Sequence, residues 1–373
     1  MKVYFKNLDG IRFIAALLVI LQHTSDYKSY QQIGLPNTLE KQLGGVGGLG
    51  VTLFFVLSGF LIFFLLFSEQ KLKQTISIKN FYIRRILRIW PLYFGFGLLL
   101  IIGINYFLSI DTPVLKNLFF LGTFSINLQL LFSIPNKGII ELYWSVCIEE
   151  QFYLVAPWLV KKGVNRMLLL ILILIGIGMA SRILFYYLAT SAEYNFHGND
   201  PVYFFTLCRF DNFGFGALAA LLYFEKSIYQ KIQPIVENKI VQAVVVLFTF
   251  LYVFNLIPHP GWFIASTLPS ILFAFIILSA STGNFILNLE NAVMKRLGKY
   301  SYGIYIFHAI ICQFIITFFL KYLPGKTIFN YDILYPLCCV VATAIVAGIS
   351  YELYERHFLK LKQRFTIVKN HDV

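Results

Sequence analysis

Leu8-Asp9-Gly10-Ile11-Arg12-Phe13-Ile14-Ala15-Ala16-Leu17-Leu18-Val19-Ile20-Leu21-Gln22-His23 is apolar enough to cross a bilayer, yet Arg12 lies inside one end and His23 inside the other. Eleven residues on an α-helix return to within about 20° of the start, so the two side chains share one face, roughly 16 Å apart along the axis. An ionisable side chain in a bilayer helix is costly and usually faces a protein interior or a wet cavity. A cation and a base on one stripe therefore point to a site that reaches into the membrane. The competing reading has Arg12 snorkel to the headgroups while His23 caps the helix at the far surface.

The rest of the chain fits a membrane protein. Of its 373 residues 58% are hydrophobic and only 13% charged, with a mean hydropathy of +0.72. A soluble domain carries about 25% charged residues. The apolar runs have the length of spanning helices rather than the alternation of barrel strands. The expected fold is all-α, a polytopic integral membrane protein. A net charge of +13 would suggest nucleic acid as the partner of a soluble protein. Here the basic bias of cytoplasmic loops accounts for it, and no nucleic-acid partner is expected. Cys147, Cys208, Cys312, Cys338 and Cys339 sit in apolar runs without ligand spacing, so neither a disulfide framework nor a metal site is predicted. The first apolar run lacks a small-residue cleavage pattern and reads as a retained span.

Apolar runs of spanning length occur near 9–27, 45–68, 89–109, 115–134, 140–160, 166–188, 203–224, 239–257, 262–281, 301–322 and 332–353. If 115–134 and 140–160 both crossed, Lys161, Lys162 and Arg166 would lie outside and every later basic loop would invert. Ten crossings, with both termini cytoplasmic, put roughly three quarters of the 31 Lys and Arg inside. The loop of Glu193, His197 and Asp200 then falls outside. One of the two neighbouring segments should be re-entrant or broken. The second, with Trp144, Glu149, Glu150 and Pro157, is the one expected to line a site. Residues 69–88 read as a basic amphipathic helix at the cytoplasmic interface. Residues 1–356 form one membrane domain in this reading, and 357–373 a basic cytoplasmic tail.

Three sets of residues carry candidate chemistry. Arg84, Arg85 and Arg88 are spaced to cluster their guanidinium groups on neighbouring helix faces, suited to phosphate or to anionic lipid headgroups. Glu149, Glu150, Arg209 and Asp211 lie deep in apolar runs, with Arg182 towards the end of its own. A carboxylate beside His23 would fix its tautomer and raise its basicity, as a general base requires. The alternative is internal salt bridging, for instance Arg209 with Glu149. Arg12, His308, Glu352 and Glu355 form a second polar set towards the cytoplasmic side. Gly45-Val46-Gly47-Gly48-Leu49-Gly50 matches a dinucleotide-binding pattern but lacks a preceding strand, and reads as a flexible entry to the second span. His197-Gly198-Asn199-Asp200 has the wrong spacing for a soluble-acyltransferase pair.

Together these blocks resemble the acyltransferase-3 family of integral membrane acyltransferases, across residues 8 to 356. Leu8 to His23 is similar to the family's first helix, with an Arg, ten residues and a His. Val51-Thr52-Leu53-Phe54-Phe55-Val56-Leu57-Ser58-Gly59-Phe60 resembles its second-span motif, with Thr52 where Asp is common. Arg85 and Arg88 match its RxxR segment, and Trp144-Ser145 through Glu149 to Gln151-Phe152-Tyr153 its next block. Arg209-Phe210-Asp211, Leu297 to His308 and Tyr351 to Arg356 complete the series.

The resemblance implies a membrane O-acyltransferase that moves an acyl group, usually acetyl, from cytoplasmic acetyl-CoA to a hydroxyl of a carbohydrate, glycolipid or other acceptor at the outer side. The bacterial plasma membrane is the expected location, and acyl-CoA the co-substrate, with no permanently bound cofactor. Some members carry a further hydrolase-like domain, and a stand-alone membrane module is expected here. The expected catalytic residues are His23 as base and Glu149 as its partner. Arg12, Arg84, Arg85 and Arg88 are expected to hold the CoA phosphates, and Trp144, Arg209 and Asp211 the acceptor. The pantetheine arm, about 15–20 Å long, would lie along the Arg12–His23 stripe, whose length is about 16 Å. Direct transfer and a transient acyl-His23 both fit. The rival class is a transporter or flippase for a lipid-linked sugar.

Overall fold

The computed structural model describes residues 4–33, 41–107, 114–132, 139–163, 166–190, 200–323, 325 and 327–366. Among them every regular element is helical and no strand occurs. In chain order the principal helices are α1 (Leu8–Tyr30), α2 (Val46–Lys73), α3 (Ile78–Phe107), α4 (Val114–Gly122), α5 (Ile126–Phe132), α6 (Trp144–Gly163), α7 (Met167–Thr190) and α8 (Phe210–Phe224). They continue as α9 (Lys226–Val236), α10 (Lys239–Val253), α11 (Trp262–Ser281), α12 (Ala292–Lys299), α13 (Ser301–Tyr322), α14 (Tyr335–Ser350) and α15 (Arg356–Lys362).

The chain forms two compact units. One comprises Met1–Tyr4, Phe55–Tyr229 and Glu355–Val373, and the other Phe5–Phe54 and Gln230–Tyr354. In the first, α7 packs along α8, α3 meets α4, α6 and α15, and α5 meets α6. In the second, α1 is the central helix, in contact with α11, α12, α13 and α14. The beginning of α2 also belongs there. A methyl on Gly50 would lie 2.6 Å from the Ala15 carbonyl oxygen and 3.1 Å from Leu18 Cβ. Gly47 N–H donates to Gln22 Oε1 at 2.7 Å. The glycine run is therefore a close-approach surface for α1 rather than a flexible entry, because only a residue without Cβ lets the backbones come so near.

The polarity of both units is that of a protein solvated by lipid. Leu169, Leu172 and Leu184 of α7 are 51%, 50% and 56% exposed, whereas Arg182 of the same helix is 1% exposed. Among the described residues, six helical stretches are long and apolar enough to cross a membrane: Leu8–Tyr30, Lys41–Lys73, Ile78–Gly103, Met167–Thr190, Ser301–Tyr322 and Phe329–Phe365. The pair Lys226–Val236 and Lys239–Val253, bent by 75°, would make a seventh. The other expected crossings meet shorter or more charged helices. α8 has 15 residues, about 22 Å of rise, and α6 carries Glu149, Glu150, Lys161 and Lys162.

Two local expectations are corrected. The broken segment is 114–132, not 140–160: α4 ends at Gly122 and α5 starts at Ile126. Phe124 between them has φ +51°, a conformation that ends a right-handed helix. α6 runs unbroken through Pro157, and the Tyr82 hydroxyl donates to the nearby Leu154 carbonyl at 2.8 Å. Residues 69–88 are not one amphipathic helix either. α2 continues to Lys73, the chain turns at Gln74 (φ +57°), and the arginines occupy the first turns of the 30-residue α3. Glu193 and His197 lie outside the described residues, as does most of the His197–Asp200 motif. The expected basic tail begins as α15.

Candidate active site

In the unit built on α1, Arg12 and His23 belong to one unbroken helix, as the sequence requires. Arg12 Nη1 pairs with Asp9 Oδ1 at 2.5 Å, one turn back, and both groups are half-buried. The pair holds the guanidinium near the start of α1. His23 Nδ1 lies 2.8 Å from the Val19 carbonyl oxygen of the preceding turn. A carbonyl only accepts, so Nδ1 carries the proton and Nε2 keeps its lone pair. The tautomer of a general base is thus set by the helix backbone itself.

Within its own unit His23 has Asp26 and His308 as neighbours. Within this unit the charge felt by the imidazole is Asp26, three residues on, which also bonds to Gln22. The His308 ring stands edge-on to His23, with centroids 4.9 Å apart and planes at 71°. His308 therefore belongs beside His23 and not with Arg12. It lies about 11 Å along α13 from that helix's start. At the far end of α1, Lys28 Nζ pairs with Asp332 Oδ1 at 2.7 Å, and both side chains are buried. The i, i+3 spacing of His23 and Asp26 was a legible signal for that carboxylate. Nothing local pointed to Asp332, which is 304 positions away from Lys28.

In the other unit, the three arginines of α3 divide into different roles. Arg84 is buried, with Nη2 on Glu69 Oε2 at 2.9 Å and Nη1 on the Phe365 carbonyl at 2.9 Å. Glu69 Oε1 also accepts from Ser77 N–H at 2.8 Å. Arg84 ties the α2–α3 turn to the C-terminal segment, and its fork is occupied by those two partners. Arg85 lies over the rings of Phe81 and Tyr153, 5.8 Å and 5.6 Å from their centroids, and its Nε has no hydrogen-bond partner.

Glu149 bonds to Tyr153 and interacts with Arg88, Arg85 and Glu150. Glu150 Oε2 accepts from Trp90 Nε1 at 3.0 Å, and the Tyr153 hydroxyl shares a 2.6 Å hydrogen bond with Ser58. The α3 arginines and the α6 acids thus form one half-buried polar cluster, which can receive an anion once the acids yield the guanidinium groups.

The expected acceptor residues fall in a third cluster of the same unit. Asp211 is 0% exposed and paired with Arg182, whose side chain is 1% exposed. A Cβ on Gly178 would run into the Asp211 backbone, so α7 and α8 touch there. Asp211 is a packing element of that contact. Arg209 does not pair with Glu149. Its Nε donates to the Tyr203 carbonyl at 3.0 Å, and its guanidinium lies 4.5 Å from the Tyr203 ring centroid and 5.9 Å from that of Trp144. Trp144 is 5% exposed, closed over by Tyr203 and Phe204. Among the described residues no group of three or more His, Cys, Asp or Glu could hold a metal.

Residues 5–352 match the family described as "Acyltransferase domain". The chain is 27% identical over 390 residues to the peptidoglycan O-acetyltransferase OatA of Listeria monocytogenes, covering 94% of this chain and 55% of that one. It is 26% identical to the O-acetyltransferase OatA of Staphylococcus aureus (strain NCTC 8325 / PS 47), covering 94% and 57%. A putative O-acetyltransferase of Staphylococcus aureus (strain COL) is also 26% identical, over 96% and 58%. The chain spans a little over half the length of these relatives. No solved structure matches it.

Proposed function

We propose, on the premise that this chain belongs to the acyltransferase-domain family, that it is a membrane O-acyltransferase working from cytoplasmic acyl-CoA. The acyl group is acetyl, as the names of its relatives suggest. The acceptor is a hydroxyl of a carbohydrate or glycolipid at the outer face of a bacterial plasma membrane. The peptidoglycan named for the Listeria relative belongs to that class. Ten crossings with both termini inside remain part of the proposal, supported by the basic loops.

The observation that carries this reading is His23: an imidazole within an apolar helix, its Nδ1 held by Val19 and its Nε2 left as a base. Nε2 takes the proton as the acceptor oxygen attacks the thioester carbonyl. The C–S bond breaks, and the imidazolium returns the proton to the CoA sulfur. In a two-step version Nε2 itself attacks and the C–S bond breaks with CoA leaving as thiolate; the acyl-imidazole then passes its acyl group to the hydroxyl, whose proton goes to the thiolate. Arg85 and Arg88 take the CoA phosphates.

The test is CoA release by the purified protein with acetyl-CoA and a hydroxyl acceptor. His23→Ala should lower turnover by about 10²–10⁴-fold and leave acetyl-CoA binding intact. Full activity of that variant would move the chemistry elsewhere. Acceptor-independent flipping of a lipid-linked sugar, without CoA release, would favour the transporter class.

A further inference from the structure

His308 has no task in the chemistry above, yet it is fully buried, with 0% of its surface exposed, on the α13 face that packs against α1. Its Nδ1 lies 2.5 Å from the Tyr305 carbonyl oxygen of its own helix, so that nitrogen donates and Nε2 bears a lone pair. Nε2 is buried and has no hydrogen-bond partner. A dry acceptor without a donor destabilises a fold, and a ring such as Phe would fill a similar volume without that penalty. Beside it stands His23, edge to face, its Nδ1 likewise committed to a backbone carbonyl. Each ring thus has its Nδ1 on a backbone carbonyl of its own helix, and the two rings are neighbours. In the proposed reaction the neighbour of His308 that takes up and returns a proton is His23.

We propose that His308 is the positioning residue of His23, a buried imidazole whose unpartnered Nε2 accepts from the imidazolium that His23 becomes during acyl transfer. The inference rests on His23 being the base. The proton leaves the acceptor hydroxyl for His23 Nε2 while the new C–O bond forms and the C–S bond breaks. It then passes from His23 to the thiolate, and His308 neither gains nor loses a proton over the cycle. What His308 supplies is an electron-rich neighbour at the moment His23 is charged, in a dry setting where such an interaction is strong. Tyr305, with its ring centroid 5.6 Å from that of His308, holds the ring from its own helix. Asp26 supplies the negative charge from the α1 side.

The experiment compares H308F, H308Q and H23A in purified protein with acetyl-CoA and a hydroxyl acceptor. H308F keeps the ring volume and loses the lone pair. It should lower kcat by about 10- to 10²-fold, the scale of one hydrogen bond to a charged group, with the KM for acetyl-CoA unchanged. H308Q, whose amide oxygen can accept, should recover part of that loss. Full kcat in H308F, or a larger loss in H308Q than in H308F, would overturn the proposal and leave His308 a packing ring. If H308F fails to accumulate, H308Q against H308M repeats the comparison at similar volume, and equal kcat in those two would overturn it. An active H23A would instead remove the base reading. An inactive H23A beside a fully active H308F would remove only the pairing.

Discussion

Arg84 and Glu69 form a 2.9 Å ion pair between the end of α2 and the start of α3, with both side chains buried. The second nitrogen of the fork reaches the Phe365 carbonyl, and the second oxygen of the carboxylate takes the Ser77 N–H. Two adjacent arginines in one motif therefore differ: Arg84 holds the chain together, whereas Arg85 spends its guanidinium on ring faces.

Arg84→Ala is expected to act on stability. Removing one partner of a buried pair strands the other charge, at a cost of about 3–5 kcal/mol. Thermal unfolding in detergent should show a markedly lower midpoint, with acetyl-CoA affinity nearly unchanged in whatever protein folds. Normal stability together with lost CoA binding would return Arg84 to the phosphate ligands.

Arg88→Ala should do the reverse. Acetyl-CoA affinity falls, by about tenfold for each 1.4 kcal/mol of charge-assisted bonding lost, while the unfolding midpoint falls less than in Arg84→Ala, because Glu149 keeps Arg85 beside it. Arg88→Lys rescues only in part, because an ammonium lacks the planar fork. Unchanged CoA affinity in Arg88→Ala would leave these arginines to lipid headgroups.

For the buried pair of Arg182 and Asp211, the expectation is structural. Asp211→Ala should reduce the yield of folded membrane protein, and a Gly178→Val change, which crowds the same α7–α8 contact, should do likewise. A stable Asp211→Ala enzyme with a raised KM for the acceptor would instead make Asp211 part of the acceptor site.

What the sequence made legible follows from the range of the forces involved. Helical periodicity is local, so the shared face of Arg12 and His23 was readable from sixteen residues. So was the membrane class, since lipid solvation acts on every run of apolar residues. The break in 114–132 was not readable. It depends on Phe124 adopting a positive φ, while the charged and proline-bearing 144–163 stayed helical. Residue type shows which side chains are polar in an apolar run, whereas partners come from tertiary packing. Asp211 finds Arg182 29 positions away, and His308 finds His23 across the packing of α1 and α13. Glu149 has Arg88, Arg85, Glu150 and Tyr153 as neighbours within its own unit.

Topology is testable by labelling from either side. The five native cysteines are buried or half-buried, so exposed cysteines introduced as Arg166→Cys and Ser227→Cys should dominate the reaction. The ten-crossing proposal expects both to react only from the cytoplasmic side. Labelling of either from outside would overturn the ten-crossing model.

The last prediction concerns Glu149, whose neighbours Arg88 and Arg85 make it a counter-charge for the phosphate-binding pair. In Glu149→Gln the side chain keeps its shape and can still meet the Tyr153 hydroxyl, but the arginines lose a compensating charge. In half-buried surroundings that loss destabilises the ligand-free protein, since an unpaired charge there is costly. Phosphate groups arriving with acetyl-CoA restore the compensation. A ligand that binds the folded state raises stability in proportion to the logarithm of its concentration over Kd. Acetyl-CoA should therefore raise the unfolding midpoint of Glu149→Gln by more than it raises that of the unmodified protein, from a lower starting value. The same shift in both proteins would mean that Glu149 does not compete for the arginines. A loss of kcat with the acetyl-CoA-induced shift unaltered would restore Glu149 as a participant in proton transfer.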